Sequence, residues 1–260
     1  MSGYAQNNDS VRAERLLNET LQHFKSHPEF YKSYNLREIV HYLGRRYLNM
    51  TNVELESILK IALVFDDDRR LFPYYQKLHD KSFVPLRPLS HPDAPAAIAL
   101  ESLMLAGLYP DSLPFCRLLQ ETFKDTMGLN PEGYVRHLAH IALACAWARS
   151  FKTRPIPCIE EPWCTKAAPR IREKLITIQP GSDSWMEGTL ALCWMSDSRQ
   201  TLPDVLTVLE KVRCPGGLYR WDPLQEDCAA AHEHPTVLAL WLLCLYKAGG
   251  IAHSWAWPED

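Results

Sequence analysis

Apolar and polar positions along the chain alternate with a helical period almost throughout. Leu16, Leu17, Leu21 and Phe24 fall on one stripe, predicting a helix from a cap at Asp9 or Ser10 to about residue 25. Asn35 can cap a second helix, to about residue 48. Thr51 with Glu54 makes a capping box that opens a third, to about residue 65, and Asp66, Asp67 and Asp68 open a short fourth ending near residue 80. The stretch 84–95 is rich in proline, and each proline holds its predecessor away from the helical region, so an extended segment is expected there. Helices are then predicted at 95–105, 114–126, 131–149 with Asn130 as cap, 165–178, 182–195, 203–213 with Thr201 as candidate cap, and 235–248 stopping at Gly249-Gly250. No segment alternates convincingly with period two.

From residue 95 onward the helices come in two kinds. Those beginning near 95, 131, 183 and 235 are apolar on every side, and amphipathic helices lie between them. A helix that is apolar all round needs burial, whereas an amphipathic one covers it from outside. Such alternation at intervals of 36, 52 and 52 residues describes an array of helical repeats. The expected class is therefore all-α: alternating inner and outer helical hairpins forming an α/α toroid, complete or not. It is read as a single domain, 1–260, with N-terminal helices over 1–80, toroid-like repeats over 81–250 and an aromatic tail at 251–260.

The last repeat carries a resemblance. Gly216-Gly217-Leu218-Tyr219-Arg220-Trp221, then Asp227-Cys228, then Pro235-Thr236-Val237-Leu238-Ala239-Leu240 resembles the repeat of the α/α-toroid superfamily, which includes terpenoid cyclases and protein prenyltransferase β subunits. The resemblance covers about 80–250 by pattern and is close only in this repeat; it implies a fold more than an activity. The prenyltransferase subunits hold zinc through an Asp, a Cys and a later His. In this chain Asp227 and Cys228 are adjacent rather than one residue apart, so that ligand set does not carry over directly. Asp66–Asp68 fits neither acidic motif of the terpene cyclases, and reads as a helix-opening turn beside Arg69 and Arg70.

Composition narrows the partners. A net charge of −3 supplies no basic face for nucleic acid, and no run reaches the roughly 18 apolar residues of a membrane span. The polar first ten residues lack the apolar core of a secretion signal, so a cytoplasmic home and reduced thiols are expected. Cys145, Cys193 and Cys244 lie within apolar helices, where a thiol acts as a small hydrophobe.

Candidate chemistry gathers at the starts of the apolar helices. His91 and Asp93 precede the first; His137 and His140 lie early in the second; Asp183 and Glu187 occupy the first turns of the third; Asp227, Cys228, His232, Glu233 and His234 precede the fourth. Parallel inner helices would bring these ends to one rim, where helix N-termini add positive potential. His91, His137, His140, Cys228, His232 and His234 are candidate ligands for a transition metal such as zinc or iron, since imidazole with carboxylate or thiolate suits such ions. Asp93, Asp183, Glu187 and Asp227 are candidate catalytic carboxylates. The alternative for each is capping, because polar side chains at helix starts commonly satisfy unpaired N–H groups.

Trp185, Trp194, Tyr219, Trp221, Trp241, Tyr246, Trp255 and Trp257 either line a substrate cavity or pack the core. The pattern suggests an enzyme on a small or medium-sized organic substrate, with a metal-dependent lyase, cyclase or hydrolase as the form it would take. A metal-free general acid/base enzyme and a non-catalytic helical-repeat binding protein stay open beside it.

Overall fold

The computed structural model describes residues 2–27, 30, 36, 39, 40, 42–44, 47–51, 53, 54, 96–111, 114–126, 128–160, 167–195 and 205–247. The predicted features at His91, Asp93, Asp66–Asp68, 84–95 and 251–260 lie outside these residues. Of the described residues 72 % are helical, and they contain no strand, only isolated bridges between Arg213 and Tyr219 and between Arg220 and Ala231. Eight helices are named among them: α1 (Ser2–Ser26), α2 (Ala96–Leu108), α3 (Phe115–Asp125), α4 (Pro131–Phe151), α5 (Ala167–Leu175), α6 (Asp183–Met195), α7 (Val205–Val212) and α8 (Glu233–Lys247). None is long and apolar enough to cross a membrane.

Local signals account for several boundaries. Asn130 accepts a hydrogen bond from the Gly133 N–H at 2.8 Å, and Pro131 follows at the first helical position, where its missing N–H is not needed. The capping box forms: the Thr51 N–H donates to Glu54 at 2.9 Å and the Glu54 N–H to Thr51 Oγ1 at 3.3 Å. α1 begins at Ser2 rather than at the expected cap near Asp9.

The two kinds of helix are both present. α3 buries Phe115, Leu118, Leu119 and Thr122, and α5 buries Ala167, Ile171 and Leu175, each on one stripe. α7 does the same with Val205, Leu206, Leu209 and Val212. In α8, by contrast, every residue from Pro235 to Leu245 is buried. Enclosing its large aliphatic side chains contributes about 1.5–3 kcal/mol apiece relative to leaving them in water.

Contacts divide the chain into two units, and the division falls inside α6, which is one continuous helix. In the first unit, α1 packs on α8 and α7. Ala13, Leu16, Leu17 and Phe24 are buried along α1, while Leu21 is half-buried. Glu210 of α7 receives Arg12 at 2.7 Å and Arg15 at 2.8 Å, and Arg213 pairs with Glu19. In the second unit, α4 is the central helix, packed on α2, α3 and α5. Gly107 is where α2 and α4 come closest: a Cβ there would sit 2.7 Å from the Ala144 carbonyl oxygen.

The cysteines correct the expectation of reduced thiols. Cys116 of α3 is bonded to Cys158, in a 3₁₀ turn (Pro157–Glu160), and Cys214 is bonded to Cys228. Cys145, expected to be an inert hydrophobe, is disulfide-bonded too. Cys193 and Cys244 are the buried free thiols anticipated from their apolar surroundings, and burial pushes the Cys193 thiol up to about 12.

Candidate metal centre

α6 opens with a cap and an acid. Ser182 Oγ accepts from the Trp185 N–H at 3.3 Å, and Asp183 follows in the first turn, where the positive end of the helix dipole stabilises a carboxylate. Glu187 stands one turn later on the same face. Both are enclosed, with Asp183 1 % and Glu187 6 % exposed. Two carboxylates buried this close repel one another and need positive charge nearby. Arg136 of α4 supplies some of it, with its Nε 3.6 Å from Glu187 Oε2.

His234, in the first turn of α8, supplies the third group. Its Nδ1 lies 2.6 Å from Asp183 Oδ1. With no ion bound, a contact this short has a proton between the two, carried on Nδ1 and donated to the carboxylate. One ligand atom from each of Asp183, Glu187 and His234 lies within 4.8 Å of the other two, and no second grouping of this kind occurs among the described residues. Ligands held at about 2.0–2.2 Å on a tetrahedral ion stand about 3.3–3.6 Å apart, so an ion here would take the place of the proton between His234 Nδ1 and Asp183 Oδ1, and those two atoms, now 2.6 Å apart, would move outward to admit it. One imidazole and two carboxylates suit zinc, iron(II) or manganese, and the two negative charges balance a divalent ion.

Trp221 borders this group. Its ring centroid is 5.2 Å from that of His232, nearly perpendicular, and 5.9 Å from that of His234. It is 40 % exposed, and Tyr246 is half-buried, whereas Trp185, Tyr219 and Trp241 are core residues. The turn holding Trp221 is fixed by Arg220, whose guanidinium donates to the Lys211, Val212 and Gln225 carbonyls.

The structure therefore divides the candidates. Asp183, Glu187 and His234 come together, although the sequence placed them in two different roles. Cys228 is not a ligand, because a disulfide sulfur has no thiolate to offer. Asp227 accepts from the Ala229 N–H at 2.8 Å and so caps the 3₁₀ turn Cys228–Ala230. His232 is exposed and its Nδ1 accepts from the His234 N–H at 3.3 Å, a cap at the start of α8. His137 and His140 turn their Nδ1 atoms to carbonyls of their own helix, those of Gly133 and Arg136, each at 2.9 Å. Partial burial, opposed by that hydrogen bond, holds the His137 imidazole below its ordinary value. Neither histidine joins a metal-binding group among the described residues. His91 and Asp93 lie outside the described residues. Arg136 was not singled out by the sequence; its position one residue before His137, on an apolar helix, was the only signal.

No protein-family model, curated protein or solved structure matches this chain. The likeness to helical toroids thus rests on the loop and helix pattern of the last repeat.

Proposed function

We propose that this chain is a metal-assisted enzyme acting on a small or medium-sized organic substrate, with Asp183, Glu187 and His234 holding a divalent transition metal such as zinc or iron. The observation that carries the reading is the convergence of three ligand atoms within 4.8 Å, two of them from buried carboxylates on adjacent turns of one helix and the third from a half-buried imidazole. A metal in such a setting polarises a carbonyl or lowers the pKa of bound water, which is the chemistry of hydrolases and lyases. Around it, Arg136 partners Glu187, and Trp221 offers an apolar ring to a substrate at the rim. On this reading α2, α4, α6 and α8 are the inner helices of a toroid, and α3, α5 and α7 its outer ones. The disulfides favour an oxidising compartment over the cytoplasm.

The Asp183–His234 hydrogen bond favours a second reading, in which His234 is a general base oriented by a carboxylate and no metal takes part. Elemental analysis of the purified protein separates the two. One equivalent of metal per chain is expected, lost on chelation and lost in Asp183→Asn, Glu187→Gln and His234→Gln variants that keep wild-type circular dichroism. Protein without metal, whose melting temperature no divalent ion raises, would leave only the metal-free reading.

A further inference from the structure

His234 is the one member of the group that does not stand on α6, so its approach to the carboxylates depends on the segment leading into α8. Cys228 anchors that segment through its bond to Cys214, just beyond the end of α7. The bond spans 14 residues and closes a covalent ring that contains Trp221. The same ring is laced to the residues before His234. Arg220 bridges to Ala231, and the His232 N–H donates to the Tyr219 carbonyl at 3.1 Å. Trp221 then lies against both His232 and His234. Ring, indole and imidazole are thereby joined in one piece. The two sulfurs differ in access, because Cys214 is buried whereas Cys228 is half-buried and follows the exposed stretch 224–227.

We infer that the Cys214–Cys228 disulfide is a redox clamp on the Asp183–Glu187–His234 centre, an inference that rests on the metal-binding reading above. Oxidised, the bond holds His234 against Asp183 and the centre retains its metal. Reduced by a dithiol, it frees the segment and the metal is released. The first thiolate of the reductant attacks Cys228 Sγ, forms a mixed disulfide and expels Cys214 as a thiolate, which takes up a proton. The second thiol then attacks the reductant's own sulfur in that mixed disulfide and releases Cys228. Two electrons and two protons pass to the cysteine pair, and the reductant leaves as its internal disulfide.

The test is the Zn²⁺ affinity of the oxidised protein, measured by competition with a chromogenic chelator. The Cys214→Ser/Cys228→Ser variant should bind about 10–100-fold more weakly, the range expected when the support of a ligand is lost. The Cys116→Ser/Cys158→Ser variant, which leaves the segment before His234 intact, should bind like wild type. If wild type binds no zinc, the centre itself falls. If all three proteins bind equally, the clamp falls and the centre stands. Should the first variant fail to fold, the Cys116→Ser/Cys158→Ser protein is reduced with a phosphine and its thiols are mapped by alkylation. Zinc retained in full with Cys228 alkylated and helix content unchanged would overturn the clamp.

Discussion

Gly216 and Gly217 are neighbours with similar positive φ angles and very different surroundings, so a methyl group added to each separates strain from collision. Their φ angles are +82° and +87°, where any residue with a Cβ is strained by about 1–2 kcal/mol. At Gly216 that is the whole cost, because the new Cβ would meet only His23 Cδ2 at 3.8 Å, an ordinary contact. At Gly217 the Cβ would fall 2.5 Å from the Glu19 carbonyl oxygen and 2.7 Å from the Thr20 nitrogen. Both atoms belong to the backbone of α1 and cannot turn aside like a side chain, so the loop or the helix must shift. Overpacking of this kind adds about 1–3 kcal/mol. Gly216→Ala should therefore lose about 1–2 kcal/mol, and Gly217→Ala about 2–5 kcal/mol. The difference of about 1–3 kcal/mol corresponds to a melting temperature lower by about 2–12 °C for a chain of this size. Thermal and urea unfolding followed by far-UV circular dichroism reads it directly. Equal losses in the two variants would refute the docking of the turn on α1.

Asn130→Ala should lose about 1 kcal/mol in the same assay through the cap of α4, and Asn130→Asp should not, since its carboxylate also accepts the Gly133 N–H; equal losses would show the cap to be idle. Glu210 is held below the usual 4.5, chiefly by its hydrogen bond from Arg12, with Arg15 adding to it. A carboxylate depressed in this way stabilises the fold above 4.5, and that contribution is lost as pH falls below it. Glu210→Gln should consequently be less stable than wild type at neutral pH and should lose less between about pH 5 and pH 3, as melting temperatures across that range would report. Parallel curves for the two proteins would show that the Arg12–Glu210 pair does not govern the acid limb.

The sequence by itself determined the helical class, the alternation of enclosed and amphipathic helices, and several individual boundaries. Each of these rests on signals that act over one or two turns. Thr51 caps with Glu54 three residues away, Asn130 caps the helix that starts beside it, and the stripe of α5 repeats every four residues. The pairing of Asp183 with Glu187 was equally legible, since residues four apart on a helix share a face. What joined His234 to them is of another kind. His234 and Asp183 are 51 residues apart, and nothing local distinguishes His234 from His137, His140 or His232 as the partner. Tertiary packing made that selection, by placing one imidazole on a buried carboxylate and leaving the others to carbonyls and caps. The cysteines show the same limit: eight of them along the chain allow many pairings, and Cys116 met Cys158 across 42 residues because α3 and the turn after α4 lie side by side. Contacts at such separations are set by which helix faces bury the most apolar surface together, a property of the whole assembly that no short stretch of sequence contains.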